Sequence, residues 1–524
     1  MGRSIIALYR KYVKQSWKTA FLAALILGLC VHIYKFTNTL PGHDSLYNYY
    51  HSQNIVGSGR WFLMIACGIS SFHDLPWLIG LLSMLYLALT AVVVADHFRI
   101  VNPFVLILCS GLIVAYPSVT ETLFFEFTAD GYFLAMLLAA LAARLTRMDT
   151  ITPKRMILSG VLICLSCAIY QAYVSVALVM SICGFILELL DGKRTTKECW
   201  KWVGCHAVIY IVALAGYYVI WQAMMKLQGV TANDYRGIST LGSFGVHTLI
   251  SGVRSMISTL LLFFFEWNFL KRGLTVYGGL NLLILAALVA VLAVAVVKSQ
   301  LFRRKQHLLL GVLCLIALPM SICIWHFSSD QVWYQPRMLG STCILPIFTI
   351  ILADRWFKPK YSDLVGLVAA VMILNNGLQA NISYYYMDRC YERSYATAIE
   401  MIHRVRPLTE ETGAKQIAIA GNTRTDVILV TNEELRYLPL LSNMLQNTLI
   451  FDHIHTKMFM EETFALEIPF MEDAEAALLS QTEEVEQMGI WPAGDSVQVI
   501  GDTIVIKIDD YEEGEWTPAL TVEE

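Results

Sequence analysis

Long apolar segments separated by short clusters of lysine and arginine recur from residue 20 to residue 380, and nothing else limits the possible fold as strongly. In lipid, such a segment satisfies its backbone hydrogen bonds internally only as a helix, and about 20 residues of helix cross the hydrocarbon. The pattern predicts spans at 20–36, 77–94, 104–116, 131–143, 156–170, 173–190, 202–224, 276–297, 308–326, 338–353 and 364–380. With 56% hydrophobic and only 15% charged residues, the 524-residue chain is expected to be a polytopic α-helical membrane protein of about 11 transmembrane helices. The first segment is read as a retained anchor.

Basic side chains set the expected orientation. Arg10, Lys11, Lys14 and Lys18 precede the first span. Later clusters are Arg144, Arg147, Lys154 and Arg155; Lys193, Arg194, Lys197 and Lys201; Lys298, Arg303, Arg304 and Lys305; and Arg355, Lys358 and Lys360. Cytoplasmic loops collect such residues, so the amino terminus is expected in the cytoplasm and residues beyond 380 outside it. Val246–Phe265 resists this scheme, because counting it as a span would put one flanking basic cluster outside. It also carries His247 and Arg254. We read it as a helix in the outer interface with Leu249, Val253, Ile257, Leu260 and Leu261 toward the lipid, ten or twelve spans being the alternative counts.

Charge divides the chain in two. From Asp388 onward there are 27 acidic and 9 basic residues, against 15 and 29 before it. This predicts a membrane domain over 1–380 and a small α/β extracytoplasmic domain over 381–524. Within the tail, 384–405 reads as helix continuing from the last span, and 416–420, 496–500 and 503–508 read as strands, the last two a hairpin about Gly501-Asp502. Residues 471–488 read as an acidic amphipathic helix with Ala474, Leu478, Leu479 and Val485 on one side. A cap that only stabilises the outer face and a part in acceptor binding are both open to this tail. Eleven of the 12 cysteines precede residue 388, mostly in apolar segments, so no disulfide framework is expected. Cys164 and Cys167 form a lone C-x-x-C inside an apolar helix, without a second pair to hold a metal.

With this topology, polar side chains gather at the outer surface. The first outer loop, 37–76, contributes His43, Asp44, Arg60 and Trp61, and the second contributes Glu121, Glu126 and Asp130. Tyr170 and Gln171 lie in the turn after the fifth span, Arg236 follows Asp234 and Tyr235 before the ambiguous helix, and Tyr334 and Arg337 precede the tenth span. Ionisable groups at membrane depth are costly and mark functional cavities. No comparable set of carboxylates is expected on the inner side. A carboxylate facing arginines and tyrosines suits transfer from a phosphate-activated donor: the carboxylate accepts the proton of an incoming hydroxyl, and arginine holds the leaving phosphate. Asp44 is the first choice of base, held close after a span, with Glu121, Glu126 and Asp130 as alternatives. Neither G-x-x-x-x-G-K-[ST] nor G-x-S-x-G occurs, which argues against an ATP-driven pump and the simplest hydrolase. Nothing suggests nucleic-acid binding, and no cofactor or metal is expected.

A basic amino terminus, one span, and an outer loop bearing Asp44 and ending at Gly59-Arg60-Trp61 resemble the layout of GT-C glycosyltransferases. Together with the Tyr170-Gln171 turn and Gln335-Pro336-Arg337, they resemble more closely the bacterial polytopic glucosyltransferases of Gtr type II, which modify O-antigen and related surface polysaccharides. The resemblance covers roughly residues 15–405. It implies an inverting transfer of a sugar, glucose by the family, from a polyprenyl-phosphate carrier to a cell-surface glycan at the outer face of the cytoplasmic membrane, without metal or covalent intermediate. Many relatives carry two adjacent acidic residues in the first loop, where this chain has His43-Asp44. Two other classes stay open: a polysaccharide polymerase or ligase, which places its large loop late in the chain, and a lipid or glycan transporter, which often shows internal repeats.

Overall fold

Proline or a small polar cap starts about half of the helices. The computed structural model describes residues 13–48, 51–68, 70, 72, 75–233, 246–265, 274–329, 331–422, 448–464 and 466–511. Helix α1 is Gln15–Thr37, α2 His43–Asn48, α3 Leu63–Ala66, α4 Pro76–His97 and α5 Pro103–Val114, with α6 Pro117–Phe124 and α7 Glu126–Leu145 following. Then come α8 Pro153–Ile169, α9 Val174–Asp191, α10 Thr196–Gln228, α11 Val246–Phe265, α12 Val276–Lys298, α13 Lys305–Ile322, α14 Ile344–Trp356 and α15 Pro359–Thr412. Asn102 caps α5 and Thr152 caps α8 through backbone amides, each with proline at the first turn. Thr195 and Glu198 form a reciprocal capping box on α10, which Gly192 and Gly229 bracket in left-handed conformations.

Eleven helical stretches among the described residues are long and apolar enough to cross a membrane. The number equals the expected one, but its membership differs. Val246–Phe265, expected in the interface, meets the length and hydropathy of a span, whereas α8 has only 17 residues. On α11, Leu249, Val253, Ile257 and Leu261 are exposed, while Thr248, Met256 and Phe263 turn inward. Leu260 is only half-buried, and Ile250 and Leu262, outside the expected face, are exposed as well.

The described residues divide into two compact units: 13–37 with those from 51 to 382 form one, and 38–48 with those from 383 to 511 the other. In the first, α1 packs on α4 and α5, α4 on α7, α7 on α8, α8 on α10, and α12 on α14. Close approach comes from small residues, as expected where lipid provides no hydrophobic drive between helices. A Cβ on Gly80 of α4 would fall 2.2 Å from the Phe36 ring of α1.

The second unit contains α2, the distal part of α15, α16 (His453–Thr463), α17 (Asp473–Leu479), α18 (Glu483–Glu486) and a three-stranded sheet. Its strands are β1 (Gln416–Ala420), β2 (Val497–Ile500) and β3 (Thr503–Lys507), ordered β1-β3-β2, with β1 parallel and β2 antiparallel to β3. All three lie within two residues of their expected bounds. The helix expected over 471–488 is instead two short ones, with Ala476, Val485 and Met488 buried and Leu478 exposed. The break after Leu479 turns the buried row, so one continuous helical face does not describe it.

Candidate active site

A tight turn begins the site. Gly59 has φ of 78°, and a Cβ there would lie 2.3 Å from the Tyr217 hydroxyl and 2.6 Å from Gln171 Nε2. Those same groups clamp the turn: Gln171 Nε2 donates to Ser58 O at 2.7 Å, Tyr217 Oη to Gly59 O at 3.1 Å, and Trp221 Nε1 to Val56 O at 2.7 Å. Trp61, partly buried, packs against the adjoining apolar clusters with Tyr217, Trp221 and Met225.

The turn delivers Arg60 onto a pair of rings. Tyr132 and Tyr170 stack with centroids 4.2 Å apart. The Arg60 guanidinium lies 5.0 Å from the Tyr170 centroid and donates to the Tyr132 hydroxyl at 2.9 Å. No carboxylate pairs with Arg60 among the described residues, and its Nε is buried without a partner. The other cations of this region are engaged. Arg337 donates to Glu121 from its guanidinium at 3.2 Å and from its backbone amide, and its guanidinium rests 3.9 Å from the centroid of Phe125. Glu121 lies on α6, which packs against the 3₁₀ turn Pro336–Cys343.

Two further carboxylates stand on the first turns of α7. Glu126 pairs with Lys35 of α1 at 2.5 Å, both side chains almost wholly buried, while Glu126 Oε1 has no partner among the described residues. Asp130 accepts from Ser70 Oγ at 2.7 Å and from the Gly131 amide at 2.9 Å. The Tyr334 hydroxyl accepts from the Trp325 amide at 3.0 Å, and Trp325 Nε1 donates to Gln171 O, which ties this segment to the turn after α8. Burial pushes the Tyr334 hydroxyl pKa well above its ordinary 10.0, so it stays protonated.

Sequence reasoning missed Lys35, Tyr132 and Ser70. Lys35 carries the plainest signal, a lysine near the end of an apolar span. The expected lack of carboxylates at the opposite, basic end needs correction: Asp96, Asp149 and Glu188 lie there. Each is taken up by cations, Asp96 by Lys14 and Arg144, Asp149 by Arg147 and Arg99, and Glu188 by Arg99 and Arg194. Despite burial, Arg147 and Arg99 hold the Asp149 carboxyl down at about 2.

His43 and Asp44 belong to the second unit. His43 Nε2 is 3.1 Å from Asp44 Oδ1, and Asn48 Nδ2 donates to the Asp44 carbonyl. The expected restraint of Asp44 by the preceding span is replaced by another: Leu46, two residues on, is buried in the tail core with Ile417, Ile419 and Phe459. Arg236, with Asp234, Tyr235 and Asp330, lies outside the described residues. Among those described, no three His, Cys, Asp or Glu side chains group so as to hold a metal ion.

The fold and the cluster of arginine, stacked tyrosines and buried carboxylates define a polytopic helical membrane protein with a polar site inside its helical unit. The model of the family Glucosyl transferase GtrII matches residues 33–340, more than half of the chain, and the chain belongs to that family. It is thus a glycosyltransferase with a role in glucosyl transfer, working between a donor and an acceptor in a membrane setting. Every candidate side chain from His43 to Arg337 is inside the matched stretch, and the tail beyond 340 is not. Comparison with curated proteins and with solved structures gives no match.

Proposed function

We propose that the protein transfers glucose from a polyprenyl-phosphate carrier to a hydroxyl of a cell-surface glycan, of the O-antigen kind, at the outer face of the cytoplasmic membrane, by a GT-C mechanism. The acceptor oxygen attacks the anomeric carbon as the bond to the phosphate oxygen breaks, with inversion. The electron pair leaves with the phosphate, and the proton passes to Asp44 as general base. Arg60 takes the phosphate, Arg337 and Arg236 supplementing its charge, and Tyr170, Tyr132 and Gln171 shape the pocket. His43 lies beside the base, and Tyr334 and Glu121 support the lining.

The observation that carries this reading is the state of Arg60. A guanidinium seated on two stacked rings, with no carboxylate to neutralise it among the described residues, suits a ligand that brings its own negative charge. Glu126 Oε1, a buried acceptor lacking a donor, suits a sugar hydroxyl. Asp44 and Arg60 share one inter-span loop, so chain order supports a common task.

Purified protein in lipid nanodiscs, given radiolabelled polyprenyl-phosphate glucose and a lipopolysaccharide acceptor, is expected to label the acceptor. Use of a nucleotide sugar in place of the lipid-linked donor would overturn the proposed donor. Arg60→Ala is expected to weaken donor binding at least 10-fold, and more than Arg337→Ala, whose partner is internal. Equal donor affinity in Arg60→Ala and the parent would move the phosphate site elsewhere.

A further inference from the structure

We infer that the C-terminal unit positions the general base: Asp452, His455 and Phe451 orient His43, and His43 holds the Asp44 carboxylate in the pose that proton abstraction requires. The inference rests on Asp44 being the general base. It assigns the tail a positioning role in transfer and makes His43 and His455 positioning residues.

The carboxylate-bearing helix cannot orient itself. α2 has six residues, too few to be stable alone in water. Its place comes from the tail, because Leu46 enters the core formed by Ile417, Ile419, Phe459 and Met460, and α2 packs on α16. Leu46 alone would be enough for a cap that simply covers a loop. The structure adds a graded set of contacts that ends on Asp44.

Asp452 caps α16 by accepting from the His455 amide at 2.7 Å, and both of its oxygens lie 2.9 Å from His455 Nδ1. That double engagement fixes the ring plane of His455, which lies tilted against Phe451 with centroids 4.3 Å apart. His43 then sits edge-on to Phe451 at 6.5 Å and 6.1 Å from His455. Its Nε2 reaches Asp44 Oδ1 at 3.1 Å. The Asp44 side chain is 37% exposed, open to an acceptor, whereas the His455 side chain behind it is 6% exposed. An accessible carboxylate backed by a buried, hydrogen-bonded imidazole is a pre-organised arrangement.

The test uses the full-length protein in nanodiscs, with polyprenyl-phosphate glucose as the donor. His43→Ala, His43→Gln, His455→Ala and His455→Phe are made in the parent and in the Asp44→Asn background. In the parent, His43→Ala and His455→Ala are expected to lower kcat about 10-fold or more with donor KM within about twofold, because misplacing a catalytic group slows the chemical step. His43→Gln, whose amide still donates to Asp44, is expected to recover most of that loss. His455→Phe keeps an aromatic ring against Phe451, yet loses the link to Asp452, and is expected to share the fall in kcat. In the Asp44→Asn background all four changes are expected to have no further effect, since they act through the missing carboxylate.

Unchanged kcat in both alanine variants, with Asp44→Asn inactive, would overturn the inference and leave the base assignment standing. Losses that persist undiminished in the Asp44→Asn background would also overturn it, showing a role in folding alone. Full activity of Asp44→Asn would remove the base assignment and this inference together.

Discussion

At the residue scale, carboxylates compete for the role of base, and their surroundings separate them. Glu126 is neutralised by Lys35, Asp130 accepts from Ser70 and the Gly131 amide, and Asp44 is partly exposed beside His43. Asp44→Asn keeps the shape but loses the basicity and is expected to cut turnover on the order of 10²-fold or more, with little change in donor affinity. Glu126→Gln and Asp130→Asn, measured alongside it, are expected to retain more activity, and a silent Asp44→Asn would return the role to one of them. The Lys35–Glu126 pair predicts a stability effect as well. Lys35→Met leaves a buried carboxylate uncompensated and is expected to cost about 3–5 kcal/mol, read as a lowered Tm in detergent. Adding Glu126→Leu removes the orphaned charge and is expected to restore much of that stability.

At the element scale, helices meet where side chains are small and turns form where backbone freedom is needed. Gly80 lets α4 lie against Phe36 of α1, so Gly80→Val is expected to push the two helices apart and lower Tm by several degrees. Gly59 permits both the left-handed turn and the approach of Tyr217 and Gln171. Gly59→Ala is expected to destabilise that turn by about 1–2 kcal/mol from backbone strain alone. It should also weaken donor binding, which equilibrium titration with the lipid-linked donor measures, because the turn aims Arg60. The spans and the β2–β3 hairpin were legible in the sequence because hydrophobic runs and a Gly-Asp turn are local signals. The break between α17 and α18 was not, since which of Ala476 and Leu478 is buried depends on the sheet they meet.

At the scale of the whole molecule, charge asymmetry yields an orientation that labelling can check. Single cysteines introduced after 381 are expected to react with an impermeant reagent on intact cells, and those within 144–155 only after permeabilisation. The reverse pattern would overturn the orientation. The tail also has a pH dependence of its own. His453 Nδ1 accepts from the Ile419 amide at 3.1 Å and Nε2 donates to Met471 O at 3.0 Å, so the folded ring is neutral. Burial lowers its pKa from the ordinary 6.5. Below about pH 6.5 the unfolded chain binds a proton that the folded ring refuses, so stability falls as pH drops through that region toward the lower folded pKa. Unfolding followed by tryptophan fluorescence is expected to show this loss, and His453→Gln to flatten it.

The sequence by itself determined the polytopic class, most of the spans and the strands of the tail, because hydrophobic period, basic clusters and turn residues act over short stretches. Tertiary structure alone decided how the ions are paired. That Arg337 meets Glu121 across 216 positions and Lys35 meets Glu126 across 91, while Arg60 meets rings, depends on how helices remote in sequence are packed. It also decided that His43 and Asp44 are held by the tail. Leu46 is an ordinary apolar residue early in the chain, and only the core that receives it, built from Cys390 onward, gives that residue its task.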